Sequence, residues 1–437
     1  MRTRGDHVLV CGLGLTGQSL VRRLGAEGYA LRAWDSRAVP PLLDAVRAEQ
    51  PGLDLQLGAP RIEALLDGVD WLAVSPGLPL QHPLLAAARA RGLPLVGDIE
   101  LFVERAEAPV VGVTGSNGKS TTVSALGAMA DALGLRAPAG GNLGPPALDL
   151  LDARAELYLV EMSSFQLELC EHLPLAVGAI LNISPDHLDR HGTLDNYVAA
   201  KARILREADT ALLNADDPLL APLTAPGQRL DFGRPATAAA RLGDAQLQLG
   251  HWSADWSDLR LYGAHNRENA AAAMAVAQAL GWDLDAAWQA LCAFPGLAHR
   301  CEHVASQGGV EWINDSKGTN VGALEAAVRG AGDAPLILLA GGQTKGGDFA
   351  PLAPLLAAHT RMVLLYGQDA ATIAAQLGTE VHSRCLPDLQ AAVAAARALA
   401  TAGDTVLLSP GCASFDLYSG YAARGEHYRR LVAEGAA

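Results

Sequence analysis

The sequence predicts an α/β protein of three domains, each built on a mostly parallel sheet. Three observations predict it. Short apolar runs recur along the chain, and many end in a polar or glycine-bearing turn that opens a helical pattern, as strands buried between helices do. Two of these turns, Gly12 to Gly17 and Gly115 to Gly118, are glycine-rich in the manner of anion-binding loops. At 437 residues the chain is long for one domain and natural for two or three.

Composition narrows the function classes. Half of the residues are hydrophobic and 18% are charged, the balance of a globular enzyme. Lys+Arg 33 against Asp+Glu 47 leaves a net charge of −14, which argues against nucleic acid as a partner, since phosphate contacts supply most of such affinity. A local basic pocket for a small anion stays compatible with that charge. No apolar run approaches the ~20 residues that span a bilayer, so no membrane insertion is expected. Cys11, Cys170, Cys292, Cys301, Cys385 and Cys412 are scattered without a C-x-x-C pair, as expected of reduced thiols in a cytoplasmic protein.

The first domain is expected over residues 1–97. Residues 8–11 read as a strand, followed by Gly12-Leu13-Gly14-Leu15-Thr16-Gly17 and a helix to about Leu24. Residues 31–35 read as a second strand ending in Asp35. Together these form the G-x-G-x-x-G fingerprint of a Rossmann-like unit, with an acid placed for a ribose or base. The geometry suits any pyrophosphate, of a dinucleotide or of a UDP-sugar, and a simple close-packed strand–helix turn has the same residues. A further strand at residues 71–74 ends in Ser75-Pro76-Gly77, at a strand C-terminus where open sheets place ligands.

The second domain is expected over residues 98–296. Val110 to Val113 is an apolar, β-branched run, Thr114 to Gly118 a glycine-rich turn, and Lys119-Ser120-Thr121 opens a helix to about Leu133. A helix N-terminus behind such a turn leaves several backbone N–H groups aimed at one anion. Lys119 is then placed for β/γ-phosphates and the Ser120 hydroxyl for a Mg²⁺ ion, the chemistry of a P-loop ATPase-like domain. The motif is the shorter T-G-x-x-G-K-S, with Val113 in the place of the first glycine. Further along come the loop Gly140 to Gly144, a strand at 157–160 whose end carries Glu161, and a strand at 179–182 leading to Asp186 and His187. Acids and histidines at strand ends beside a phosphate loop suit Mg²⁺. Residues 196–204 read as helix and contain Lys201. Residues 229–261 suggest a few antiparallel strands, the last at 259–261. A helix opens near His265, and residues 294–297 read as a linker.

The third domain is expected over residues 297–437, with strands at 312–314, 336–340, 363–366 and 406–409. Three polar strand-end loops follow them: Asp315 to Asn320, Gly341 to Gly347 and Ser409 to Asp416. Loops of this kind on a rigid sheet often carry function.

In order and spacing, these motifs resemble the Mur ligases, ATP-dependent amide-forming enzymes of peptidoglycan synthesis. The motifs are Gly12 to Gly17, Gly115 to Ser120, Glu161 to Gln166, His265 to Asn269, His299-Arg300, Asp315 to Asn320 and Ser409 to Ser414. The resemblance implies a Rossmann-like N-terminal domain, a P-loop ATPase-like central domain and a Rossmann-like C-terminal domain. It implies that Leu15, Thr16, Asp35, Ser36, Arg37, Ser75 and Gly77 hold a UDP-sugar, with Asn142 and Gln166 also at that substrate. ATP falls to Gly115, Ser116, Asn117, Gly118, Lys119, Ser120, Thr121, Asn142, Asn269, Arg300 and Asp315. Two Mg²⁺ ions fall to Ser120, Glu161, His187 and Lys201, the lysine carbamylated, since a carbamate offers an anionic oxygen where an ammonium repels the cation. Lys119, Lys201, His187 and Glu161 are then the catalytic residues. Lys317, Thr319, Lys345, Ser414 and Tyr421 match positions that hold an incoming amino acid. The implied substrates are UDP-N-acetylmuramoyl-L-alanine and glutamate, the D-isomer by resemblance, handled by a cytoplasmic monomer. Gln343-Thr344 and Tyr421 depart from the usual pattern, leaving L-glutamate or another amino acid as alternatives. An NAD-type oxidoreductase built on Gly12 to Gly17 is the rival from another class, and it leaves the phosphate loop and third domain without roles.

Overall fold

The computed structural model describes residues 2–261, 263–332 and 334–434. Met1 and residues 435–437, the outer ends of the expected first and third domains, lie outside them. The described chain forms two compact bodies. One runs to Ala254 and includes Ala271–Leu291; the other comprises Asp255–Ala270 and the chain from Cys292 onward.

The first body contains two sheets. The first is built from β1 (His7–Cys11), β2 (Ala30–Asp35), β3 (Asp54–Leu57), β4 (Trp71–Val74) and β5 (Leu95–Gly97) in the order 3-2-1-4-5. All its pairings are parallel. That order reverses direction at β1, so the C-terminal ends of β1 and β4 diverge into a crevice, the usual ligand position in such sheets. The turn after β1 depends on close packing. A Cβ on Gly17 would lie 1.8 Å from the Gly12 carbonyl oxygen, so only glycine lets the helix Leu15–Ala26 start this near the strand.

The second sheet has nine strands. They are β6 (Val110–Thr114), β7 (Ala139–Gly141), β8 (Tyr158–Glu161), β9 (Pro174–Ile180), β10 (Glu207–Asn214), β11 (Gln228–Gly233), β12 (Ala240–Leu242), β13 (Gln246–Leu249) and β14 (Trp252–Asp255), in the order 14-13-12-11-10-9-6-8-7. β6 is buried at every residue and runs parallel to β8 and β9, as an apolar β-branched strand should. The first two sheets share apolar packing: Val8 and Val10 belong to one cluster with Val110, Tyr158 and Val160, joined by Ile99, Leu101 and Phe102 of the helix Asp98–Val103.

Two expectations for the stretch after Asn214 need correcting. β11 lies parallel to both β10 and β12, and the antiparallel pairing starts only between β12 and β13. Residues 259–261 are not a strand. Their alternation spans three residues only, too few to pin a register against a neighbour.

The second body holds a six-stranded sheet of β15 (Glu302–Gln307), β16 (Val310–Asn314), β17 (Leu336–Gly341), β18 (Thr360–Tyr366), β19 (Ser383–Leu386) and β20 (Thr405–Leu408), ordered 15-16-20-17-18-19. Only the edge hairpin β15–β16 is antiparallel. Each face carries its own core, around Ile313, Leu338 and Leu407 on one side and Trp312, Leu339 and Tyr428 on the other. A sheet covered on both faces leaves only the strand ends open to a ligand, and the three polar loops sit there.

Candidate active site

In the first sheet, Asp35 closes β2 and is buried at 2% exposure. Its carboxylate accepts the Leu13 N–H at 2.7 Å and a paired contact from the Arg37 guanidinium at 2.7–2.8 Å. Burial opposes its charge, but the Arg37 hydrogen bonds and the backbone N–H groups outweigh that and hold the carboxyl below its usual range. Arg37 is half-exposed, so the ion pair itself contributes about 0–1 kcal/mol. The buried N–H to carboxylate bond weighs more, roughly 1.5–3 kcal/mol, and makes Asp35 an organiser of the glycine loop. Ser75 donates its N–H to the Cys11 carbonyl, which brings the loop after β4 against the loop after β1. Leu15, Thr16, Ser36, Arg37, Ser75 and Gly77 therefore share the strand-end crevice of this sheet.

In the second sheet, Gly118 takes φ 84° and caps the helix Lys119–Ala132. A Cβ is disfavoured there, and the turn sets Ser116, Asn117 and Gly118 beneath the helix N-terminus. Lys119 Nζ donates to the carbonyls of Gly115 at 2.8 Å and Ser116 at 2.9 Å, folding back over the loop. Ser120 Oγ donates to Glu161 Oε2 at 2.6 Å, and Asn142 Nδ2 donates to Glu161 Oε1 at 2.6 Å. Two side chains, one from the first turn of this helix and one from the loop after β7, thus converge on the buried carboxylate that ends β8.

Lys201 is 2% exposed. Its Nζ donates to the Gly115 carbonyl at 2.8 Å and lies 3.3 Å from Thr114 Oγ1, with the Tyr197 ring 4.7 Å away. Among the described residues no carboxylate lies within ion-pair distance of it. Desolvation, then the positive charge of Lys119, push its amine well below the ordinary lysine range, against the weaker pull of Asp186 and Glu161. His187 takes a left-handed backbone, φ 53°, and its ring lies 4.9 Å from that of Phe165 and 6.5 Å from that of Tyr197. The structure thus gathers Lys119, Ser120, Asn142, Glu161 and Lys201 at the phosphate loop, with His187 across Tyr197.

Gln166 stands apart. It is buried, completes a capping box with Ser163, and donates to Asp98 Oδ2 at 3.0 Å. Burial pushes the Asp98 carboxyl up to about 6, with the Gln166 hydrogen bond pulling the other way. The sign follows: between about pH 4 and 6 the folded state keeps a proton that the unfolded state has lost. The Asp98 contribution to stability therefore falls as pH rises through that window, by up to about 3 kcal/mol. Asp98→Asn is expected to flatten that slope, measured as the shift in denaturation midpoint between pH 4 and pH 6.

In the second body, Asp315 follows β16. Its carboxylate accepts from Ser409 Oγ at 2.8 Å and from the Cys301 N–H at 3.3 Å, and burial pushes it up to about 7. Asn269 donates to Asn266 Oδ1 at 3.0 Å. Arg300 lies in the turn leading into β15. Lys317 lies over the Tyr421 ring at 4.2 Å and Lys345 over the Phe415 ring at 5.3 Å. Ser414 is buried beside them in chain, and Thr319 lies in the loop after Asp315.

Comparison with known proteins accounts for this arrangement. The family model for the Mur ligase middle domain matches residues 113–277, that for the MurD-like N-terminal domain residues 6–97, and that for the Mur ligase glutamate ligase domain residues 299–412. A UDP-N-acetylmuramoylalanine–D-glutamate ligase of Nitrosococcus oceani is 47% identical, covering 98% of this chain and 96% of its own. The chain belongs to the Mur ligase family. A second relative of the same name, from Marinobacter nauticus, is 44% identical over 98% of each chain. Among solved structures, this Mur ligase shares its fold with a pseudomurein peptide ligase type C from Methanothermus fervidus (TM-score 0.63, 20% identity, 98% of this chain and 100% of that one). It shares it also with a MurF ligase from Thermotoga maritima in complex with ADP (TM-score 0.62, 18% identity, 100% and 97%).

The structure adds residues to this Mur ligase that sequence reasoning passed over. Tyr197 is buried, its hydroxyl 3.1 Å from Ser116 Oγ, and burial pushes its phenol up to about 12. Arg424 is fully buried, and its guanidinium bonds the carbonyls of Ser316 and Cys412 and the Ser316 hydroxyl at 2.8–3.1 Å, tying two strand-end loops together. Neither carries a motif. A tyrosine or arginine on a helix reads as core or as a solvated face, and only the packing around it says otherwise.

Proposed function

We propose that the chain is an ATP-dependent amide ligase that joins D-glutamate to UDP-N-acetylmuramoyl-L-alanine in cytoplasmic peptidoglycan precursor synthesis. The observation that carries the reading is the convergence of Ser120 and Asn142 on Glu161 behind a phosphate loop, in a chain whose full-length relatives bear that ligase name. Among the described residues no helix is long and apolar enough to cross a membrane.

The residues fit a divalent cation. Ser120 offers a hydroxyl and Glu161 a buried carboxylate, 2.6 Å apart beside the phosphate loop. Mg²⁺ suits such a place, because it takes one or two carboxylates and fills its remaining positions with phosphate oxygens and water. Ser120 and Glu161 would hold one ion, His187 and a carbamylated Lys201 a second. When bound, Mg²⁺ neutralises charge on the transferring phosphoryl group.

The chain's own groups do the rest. The loop N–H groups from Ser116 to Lys119 and the Lys119 ammonium cradle the β- and γ-phosphates of ATP. The γ-phosphoryl group passes to the alanyl carboxylate of the UDP substrate, and ADP leaves. The neutral amine of glutamate attacks the resulting acyl phosphate, its proton departs, and inorganic phosphate leaves as the amide forms. No protein nucleophile is needed, so positioning and electrostatics supply the catalysis. In this reading the crevice of the first sheet takes the UDP end, while Lys317, Thr319, Lys345, Ser414 and Tyr421 receive the glutamate carboxylates.

Phosphate release with UDP-N-acetylmuramoyl-L-alanine and, in turn, D-Glu, L-Glu, D-Gln and D-Asp tests it. D-Glu is expected to give the highest kcat/KM. Preference for L-Glu overturns the stereochemistry, and full activity with D-Gln overturns recognition of a side-chain carboxylate.

A further inference from the structure

Phe415 belongs to none of the roles above, yet it is 63% exposed in the loop after β20, among the most exposed large apolar residues of the described chain. A single exposed phenylalanine is ordinary. What stands over it is not: the Lys345 ammonium lies 5.3 Å from the ring centre, within cation–π range. Among the described residues the Lys345 side chain has no carboxylate or hydrogen-bond acceptor, so the ring is its one partner.

Both residues ride on fixed backbone. Gln343 and Ala413 exchange both N–H···O bonds at 2.9 Å. Thr344 donates its N–H and hydroxyl to Asp369 Oδ2 at 2.8 and 2.9 Å. The Gln368 N–H donates to Asp416 Oδ2 at 3.0 Å. Lys345 itself holds φ 50°, which directs its side chain away from the path that an extended loop would give it. Two loops are thus clamped together, and from them a lysine and an aromatic face project as a pair. Lys317 over Tyr421 repeats the device in the same body.

We propose that Phe415 is a positioning residue for amino-acid binding, its ring holding the Lys345 ammonium where it meets the side-chain carboxylate of the incoming amino acid. This rests on the glutamate reading given above. A ring face attracts the cation without consuming its N–H donors, which stay directed outward for a carboxylate. A lysine stem has many rotamers, and a ring that restricts them reduces the ordering cost at binding.

The test compares Phe415→Leu, Phe415→Tyr and Phe415→Trp, together with Lys345→Met and the Phe415→Leu/Lys345→Met double variant, in steady-state assays of the full chain. The wild-type amino-acid panel is run first. If wild type does not use glutamate, the substrate reading fails, whatever the variants do. With glutamate as substrate, Phe415→Leu is expected to raise its KM about two- to fivefold, the worth of an exposed cation–π contact. The kcat and the KM for the UDP substrate should stay unchanged, and Tyr or Trp should restore the KM. In the Lys345→Met background Phe415→Leu should add nothing. An unchanged KM, no rescue by Tyr or Trp, or an equal further loss in the Lys345→Met background overturns the proposal. Because the ring is exposed, melting temperatures of the Phe415 variants should match wild type, which separates this role from a folding defect.

Discussion

Lys119→Ala is expected to lower ATP turnover by at least about 10²–10³-fold, the cost of losing one preorganised charge-stabilising donor, while calorimetry finds UDP-substrate affinity nearly unchanged. The ammonium lies across the loop, on the carbonyls of Gly115 and Ser116. Little rearrangement then separates its resting position from one over a phosphate group, so its contribution is available at the moment of transfer. Alanine removes the charge and the donor to the Ser116 carbonyl, while the Gly115 carbonyl keeps Lys201 as a donor. The first-sheet crevice proposed for the UDP end is organised independently, by Asp35 on the Leu13 N–H and by Ser75 on the Cys11 carbonyl, and Lys119 takes part in neither. Equal loss of both ligands would contradict the assignment of the two substrates to two sheets.

Lys201→Ala should be almost inactive, and small carboxylates such as acetate should restore part of the rate. A buried ammonium with no carboxylate partner costs several kcal/mol. Burial and the Lys119 charge shift Lys201 toward its neutral amine, the form that reacts with carbon dioxide. Carbamylation, as proposed, would then turn an expensive buried cation into an anionic group within reach of the phosphate loop. The linkage has a definite sign. With a folded pKa below the unfolded one, the unfolded state binds the proton first, so an unmodified Lys201 lowers stability as pH falls from the ordinary lysine range toward its depressed value. Carbon-13 NMR with labelled bicarbonate gives the direct reading. Absence of a carbamate resonance together with normal activity of Lys201→Ala would falsify the assignment.

Legibility in the sequence followed burial. The strands Trp71–Val74 and Leu336–Gly341 are buried at every residue, so their apolar runs announce them. Glu302–Gln307 and Ser383–Leu386 lie at the edges of their sheet, half-exposed and mixed in composition, and no periodicity marked them. Glu207–Asn214 mixes Glu207, Asp209 and Thr210 into its first half and becomes continuously apolar only from Ala211 to Leu213, which hides a strand that is central in the nine-stranded sheet. The site divides in the same way. Glycine loops and the acids beside them are visible because backbone geometry demands particular residues there. The surroundings of Lys201 were not visible. Thr114 and the Gly115 carbonyl reach it across 87 and 86 residues, from a strand fixed by its parallel pairing with β9, and Tyr197 meets it from one turn away on the same helix.

That pairing has a consequence for how the chain is made. β1 has both of its neighbours, β2 and β4, once synthesis passes Val74, so the first sheet can close early. β6 has to wait. Its partners are β8 and β9, and β9 ends at Ile180, 66 residues after Thr114. At a ribosomal rate of about 5–20 residues per second, roughly 3–13 seconds pass before both flanks of this apolar strand, and the glycine loop after it, are supported. During synthesis, the most functional segment of the chain is also its stickiest, and the early first sheet is the one folded surface at hand to shelter it.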